Sequence, residues 1–600
     1  MSSEEDVEAG KYTEYENAEH ERDALLPTPE TTSDLPDVLP PKSSSRLFKR
    51  QFSILYPILS FFAGSIACIT VQFLCGSSSC FIGQHTSSHT TVATTSDNAA
   101  MLAPPYVGST VRHPFPPPSP TNAYPTLFPT DVGYAGGTPT GAEPAIIATA
   151  PSYPIQSGAA QLIEPSTLGK QKKGPNGYDI FRKWGNLSPW YSVGRTTFGL
   201  DSSPETPETC RVTGLHLLHR HGARYPTAWS SFGGPAKFAT KVHTSPEKWN
   251  ATGDVQFLND WTYKLGEELL TPFGRKQLFD LGVSMRLKYG FLLKNFTESN
   301  TIPVFRTESQ DRMLASAMNF AIGFFGYPFE GQYQQSITIE AGGMPKPQRP
   351  CEGRSREVNM KGFDLVTEDV YAMQQLCAYE TVALGYSKFC QLFTEEEWNG
   401  FDYALDLQFW YGSAFGDPVA RVQGVGWVKE LVARLTHTPI KEHDSSTNST
   451  LDDNPVTFPL NQSLYVDATH EVIVLNIITA LNLTNLAASG PLPWDHIPAN
   501  QSFKVSQIAP FSTNVQFQLL QCSSIPGEQI RIIINDGVTP LTSIKGCPQQ
   551  PDGMCPVDTF VAAQKEIIEE VDWSWGCHGD WTVPEGDAWN TTNGSPPPRP

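Results

Sequence analysis

Arg220-His221-Gly222-Ala223-Arg224-Tyr225-Pro226 places two guanidiniums and an imidazole within five residues. That set suits a bound phosphoryl group. Arginine forks match phosphate oxygens in bidentate fashion and stay charged at any relevant pH. Histidine is a nucleophile able to attack phosphorus. Gly222 lacks a side chain, which lets backbone approach a bound group closely. The heptad follows an apolar run, Val212 to Leu218, that reads as a strand.

Two further segments carry the same kind of chemistry. Ile302 to Phe305 reads as a strand running into Arg306, and Asp311 to Phe325 has helical periodicity. An arginine at a strand end lies where open α/β sheets place ligands. Leu464 to Val466 reads as a strand, followed by Asp467-Ala468-Thr469-His470-Glu471 and a buried helix over Val472 to Leu481. A histidine at a helix N-terminus suits an anion. A zinc-protease reading of His470-Glu471 needs a second histidine at 474, which is Val474. His216 and His219, three apart on a strand, face opposite sides and are poor joint ligands.

Other elements must position these groups. The chain has 600 residues, 47 glycines, 51 prolines and a net charge of −20. That charge excludes nucleic acid as a partner class and makes any phosphate site a local positive island. Residues 1–50 carry twelve acidic against six basic side chains and read as a disordered cytoplasmic tail. Glu21 to Leu26 in this tail resembles an acidic dileucine sorting signal. Phe52 to Leu74 is an uncharged apolar run of 23 residues, so 51–75 reads as a transmembrane signal anchor. Arg46, Lys49 and Arg50 precede it, and no Lys or Arg follows until Arg112. The positive-inside rule then gives a single-pass type II orientation, with the bulk of the chain in a lumen or outside the cell. Residues 76–177 form a Ser/Thr/Pro-rich stalk, 178–586 one catalytic unit, and 587–600 a disordered tail.

Eight of the eleven cysteines lie between Cys210 and Cys577, which points to an oxidising compartment. Sequons at Asn250, Asn295, Asn448, Asn461, Asn482, Asn500 and Asn590 agree. Those at Asn186 and Asn593 are weaker, because a proline follows the hydroxyl residue.

The heptad, its lead-in Cys210-Arg211-Val212-Thr213 and the following Thr227 resemble the histidine acid phosphatases, in particular the fungal phytase-like branch. Trp184, Ser188-Pro189-Trp190-Tyr191, Leu270 to Gly274, Gly416-Asp417-Pro418 and Gln423 to Gly426 resemble further segments of that family. The resemblance covers roughly 178–585. It implies an α/β fold of the phosphoglycerate mutase-like kind, a mixed sheet flanked by helices with a smaller, mostly helical part within 228–400. It implies His221 as nucleophile, with Arg220, Arg224, Arg306 and His470 on the phosphate. It implies a carboxylic acid after His470 as proton donor, here Glu471 where the family has aspartic acid. No cofactor is then needed. The implied disulfides are Cys210–Cys522, Cys351–Cys577, Cys377–Cys390 and Cys547–Cys555; eight cysteines alone permit many pairings.

Phytases of this branch hold the extra phosphates of inositol hexakisphosphate with lysines around the pocket. Here only Lys237 and Lys241 follow the heptad, and Gln408-Phe409 stands where the branch has a lysine pair. The expectation is therefore a broad acid phosphomonoesterase, metal-independent and with weak phytase activity, acting in a vacuolar or endosomal lumen or outside the cell. The Glu471 departure keeps a second expectation open, a sensor that binds phosphate or phosphoesters without turnover. A mutase or synthase of the wider superfamily is disfavoured by the anchor, sequons and cysteines. The oligomeric state is not legible.

Overall fold

From Leu215 onward the strand that leads into the heptad is buried on both faces, as its continuous apolar run requires. In the computed structural model, which describes residues 162–163, 178–227, 234–245, 249–339, 360–361, 363–583 and 591–600, it is the centre of a mixed sheet. The strands are β1 (Cys210–Arg220), β2 (Val304–Glu308), β3 (Gln334–Thr338), β4 (Leu464–Thr469), β5 (Asn514–Cys522), β6 (Glu528–Ile534), β7 (Gly537–Thr539) and β8 (Cys555–Pro556). Their order is β8-β6-β5-β1-β4-β2-β3, with β7 paired to β6. β1, β4, β2 and β3 are parallel, and β5 joins β1 antiparallel. The C-terminal ends of β1, β4 and β2 therefore open on one side of the sheet.

Helices cover both faces. Among the described residues the helices longer than seven residues, some of which belong to the smaller part, are α1 (Pro235–Thr244), α2 (Pro272–Tyr289), α3 (Asp311–Phe325), α4 (Thr367–Leu384), α5 (Glu395–Ser413), α6 (Ala420–Thr436), α7 (Glu471–Ala480) and α8 (Val557–Glu570). On one face Leu278, Met285, Phe320 and Phe324 of α2 and α3 pack on Leu215, Leu217, Phe305 and Val466. Each such buried side chain contributes about 1.5–3 kcal/mol, so this layer fixes β1, β2 and β4 against one another. On the other face Val428, Leu431, Leu475 and Ile478 of α6 and α7 pack with Leu218, Val515 and Phe517. The alternation puts His216 against Tyr465 and His219 against Phe320, on opposite faces as the strand period requires.

The smaller helical part is discontinuous. Its core gathers Trp184, Leu187, Phe238, Val242, Tyr263, Leu376, Phe389, Trp398 and Leu405. Residues 272–338, which fall inside the expected span 228–400, belong instead to the sheet and its α2–α3 layer. The C-terminal tail also departs from expectation. Gly594 donates to Phe415 O and accepts from Arg421 N, Trp575 Nε1 donates to Pro597 O, and Arg599 pairs with Asp572 at 3.2 Å. These contacts dock residues 591–600 onto the catalytic unit. Leu162 and Ile163, assigned to the stalk, also touch it, with Ile163 N on Gly385 O at 2.9 Å.

Disulfides join Cys210 to Cys522, Cys377 to Cys390 and Cys547 to Cys555. Cys577 is exposed and has no disulfide partner among the described residues; Cys351 lies outside them. The anchor at 51–75, the cytoplasmic tail and Asn590 also lie outside them. Among the described residues no helix is long and apolar enough to cross a membrane. Asn250, Asn295, Asn448, Asn461 and Asn500 are exposed. Asn482 is half-buried, and its amide both accepts from Arg421 and donates to Ser543 O, so a glycan there would break an internal bond.

Candidate active site

The end of β1 delivers Arg220 and His221, both fully buried. Arg220 Nε donates to Glu471 Oε2 at 3.0 Å, and its Nη1 donates to the carbonyls of Asn186 and Ala509. Its guanidinium stacks over Phe511 at 4.6 Å. Arg224 Nη1 donates to Tyr225 O at 3.0 Å and to Tyr379 Oη at 3.4 Å. Arg220 Nη2, Arg224 Nε and His221 Nε2 are buried without a hydrogen-bond partner among the described residues. Buried orphan donors of this kind are costly. Two such guanidinium donors beside one imidazole have the charge and hydrogen-bonding character of an anion site.

His221 Nδ1 lies 2.8 Å from Gly222 O. A carbonyl only accepts, so Nδ1 carries the hydrogen and Nε2 the lone pair. Nε2 sits 3.4 Å from Glu471 Oε2. Burial, with Arg220 and Arg312 adding to it, pushes the imidazole well below its ordinary value despite Glu471. Nε2 thus stays unprotonated in mild acid.

β4 ends at Thr469, and His470 is the N-cap of α7 with Glu471 in its first turn. His470 Nε2 lies 2.8 Å from Glu308 Oε2, and Thr469 Oγ1 donates to Glu308 Oε1 at 2.6 Å. The His470 and His221 rings meet edge to face at 5.6 Å. Glu471 Oε1 accepts from Asn186 Nδ2 at 3.2 Å. Asn186 is therefore a buried site residue, unsuited to a glycan.

Gly222 is required for a reason other than close approach to a ligand. A Cβ there would meet Gly274 O of α2 at 2.2 Å, and one on Gly274 would meet Ala223 O at 1.9 Å. The Thr271-Pro272-Phe273-Gly274 start of α2 is packed directly on the heptad. Thr271 Oγ1 caps Gly274 N, and Gln277 Oε1 accepts from Ala223 N.

Arg306 does not join this cluster, which corrects the expectation that it binds phosphate. β2 continues two residues past it to Glu308, so Arg306 lies inside the sheet opposite Asp467. Its Nε donates to Asp467 Oδ1 at 2.9 Å, its Nη2 pairs with Glu430, and its Nη1 lies 3.7 Å from Asp452. Asp467 also accepts from Arg434 at 2.7 Å and Trp427 Nε1 at 2.9 Å. Burial would raise the Asp467 carboxyl, but Arg306 and Arg434 outweigh it and hold it below the usual range. Asp467→Asn leaves two guanidiniums short of a counter-charge. The expected loss is about 3–5 kcal/mol of unfolding free energy at neutral pH, read by denaturant titration. A depressed carboxyl stabilises above its unfolded pKa of ~3.9 and stops doing so in stronger acid, so the deficit of the variant should shrink there.

The third guanidinium at the site is Arg312, in the first turn of α3. It lowers the His221 pKa and pairs with Glu268 at 2.8 Å. One turn on, Ser316 Oγ accepts from Gly222 N at 3.3 Å, which puts this face of α3 against the heptad. Glu268 has φ +63 and its N–H donates to Pro226 O. Leu270 bridges Arg224 in antiparallel fashion, so Glu268 rides on the heptad itself. Asn186, Glu268, Glu308, Arg312 and Tyr379 were all missed from sequence. Arg312 alone had a readable signal, at the start of a helix whose bounds the periodicity had located.

Ligand atoms of His221, His470 and Glu471 lie within 4.8 Å of one another, close enough for a metal. Arg220 bonded to Glu471 and Arg224 beside it make the position repel a cation.

A model of the histidine phosphatase superfamily, branch 2, matches residues 211–346 and 332–535. The chain belongs to this superfamily. Phytase A of Aspergillus awamori is 31% identical over 448 residues, 66% of this chain and 91% of the relative. Phytase A of Aspergillus fumigatus is 33% identical over 422 residues, 63% and 86% of the two chains. The crystal structure of the phytase from D. castellii shares the fold, with a TM-score of 0.53 at 21% identity over 69% of this chain and 92% of that one. This histidine phosphatase is a phytase-like hydrolase of phosphate monoesters.

Proposed function

We propose that this phosphatase works through a phosphohistidine at His221. The carrying observation is the lone pair of His221 Nε2 among the orphaned Arg220 Nη2 and Arg224 Nε donors. Nε2 attacks phosphorus as the ester P–O bond breaks, and the leaving oxygen takes a proton from Glu471. Water then attacks the phosphohistidine, releasing phosphate and returning His221. Arg220, Arg224, Arg312 and His470 stabilise the equatorial oxygens, where fixed donors act most strongly. Phosphate positioning and charge neutralisation are thus provided by the chain's own side chains.

The substrates are small phosphomonoesters, with phytate a poor one. Lys241 supports this reading, because its ammonium is already paired with Asp369. Gln408 supplies no charge at its exposed position. The apolar run 52–74, the disulfides and the exposed sequons support a type II anchored protein with its catalytic unit in an acidic lumen or outside the cell.

The test uses the full chain with p-nitrophenyl phosphate near pH ~5 and a chelator. Turning-over enzyme is quenched in alkali, in which phosphohistidine survives, and the phosphoryl group is mapped by mass. Phosphate release with the label on His221 is the expected result. Release with the label elsewhere, or none, sinks the covalent mechanism. Tight phosphate binding with no release favours the sensor reading, which the Glu471 departure motivates.

A further inference from the structure

The two least buried cations around His221, Arg312 and His470, each have their own carboxylate. Arg312 pairs with Glu268, their side chains 14% and 19% exposed. His470 pairs with Glu308, at 12% and 21%. By contrast Arg220 and His221 are 0% exposed and Glu471 is 10% exposed. Burial therefore sorts the groups by depth. The nucleophile and Arg220 form the floor, and Glu268 and Glu308 are the most solvent-exposed of these ionic groups. A phosphoryl group seated on His221 must direct its leaving group toward solvent, and so past these two carboxylates.

We propose that Glu268 and Glu308 form an acidic collar that selects phosphate esters whose leaving group carries no further negative charge. The proposal rests on the phosphomonoesterase reading and concerns the leaving-group side of the same site. The charged groups here among the described residues are Arg220, Arg224, Arg312 and His470 against Glu268, Glu308 and Glu471. The carboxylates offset much of the positive charge of the arginines, leaving a modest excess to meet the phosphoryl group. That suffices for one phosphate. A second phosphate or a carboxylate on the leaving group meets like charge at the collar, whereas a hydroxyl or ammonium group does not. Glu268 does double duty, because its carboxylate also acts on Arg224. Its left-handed backbone, φ +63, is a conformation that non-glycine residues adopt at some cost, and it aims the carboxylate at Arg312.

The test compares leaving groups of different charge on the full chain at low salt. In the wild type, kcat/KM should fall from O-phosphoethanolamine through glycerol 2-phosphate to 3-phosphoglycerate, with inositol hexakisphosphate lowest. Glu268→Gln and Glu308→Gln keep the hydrogen-bonding shape and remove the charge. Each should raise the ratio of kcat/KM for inositol hexakisphosphate over p-nitrophenyl phosphate by about three- to tenfold, and high salt should shrink the gain. A merely structural role would lower both rates together and leave the ratio and its salt dependence unmoved. An unchanged ratio in variants that still cleave p-nitrophenyl phosphate overturns the collar. So does a loss in Glu308→Gln confined to alkyl esters, which would make Glu308 a proton donor. A wild-type series ordered the other way overturns it without any variant. Wild-type inactivity on every monoester would instead sink the phosphomonoesterase reading beneath it.

Discussion

Arg312→Ala is expected to lower kcat/KM for p-nitrophenyl phosphate by about a hundred- to a thousandfold, the usual cost of one charge-stabilising donor. Arg306→Ala should leave the activity of the folded protein within about threefold and lower its stability instead. The two arginines lie six positions apart, and the structure gives them different partners. Arg312 bears on His221 from the first turn of α3 and is held by Glu268. Arg306 is held inside the sheet by Asp467, Glu430 and Asp452. Removing Arg306 leaves Asp467 with Arg434 and Trp427, so the site beyond the strand end keeps its groups. Steady-state kinetics on both variants, with melting curves, decide the matter. A large kinetic loss in Arg306→Ala at unchanged stability would reinstate it as a phosphate ligand.

This divergence marks where sequence stops being informative. Local pattern located the groups that lie close together in the chain. The heptad follows a buried strand, α3 spans the helix expected from periodicity, and His470-Glu471 opens a buried helix. Phase within a strand was less secure. The apolar run ending at Phe305 suggested a strand end, but β2 runs on to Glu308 because its polar residues pair across the sheet. Two added residues moved Arg306 from the rim to the interior. Pairings set by register were illegible for the same reason. Arg306 meets Asp467 161 positions away, and Asn186 meets Glu471 285 positions away. Gly222 shows the converse: its need was visible, but its cause, the backbone of α2, was not.

Glu471→Gln should cut turnover of alkyl phosphates by about a hundred- to ten-thousandfold, the range of general-acid catalysis, and affect p-nitrophenyl phosphate far less. The nitrophenolate departs without a proton, and an alkoxide does not. The resting state makes this prediction a sharp one. Burial would raise the Glu471 carboxyl, but the Arg220 guanidinium, with Arg224, outweighs it and holds it well below the usual carboxylate range. The free enzyme therefore carries Glu471 as an anion bonded to Arg220, with no proton to give. A phosphoryl group entering beside Arg220 weakens that hold. It competes for the guanidinium and sets negative charge beside the carboxylate, which raises its pKa. Below pH ~6, the second ionisation of a phosphate monoester, the substrate brings the required proton itself. Activity on alkyl esters should then decline as pH rises through that value, while the nucleophile stays neutral throughout. The anion at Glu471 also competes with product, so Glu471→Gln should bind inorganic phosphate more tightly even as it turns over more slowly. Equal losses on both ester classes would recast Glu471 as a positioning group for Arg220 and His221. No loss on either would place the proton donor elsewhere in the pocket.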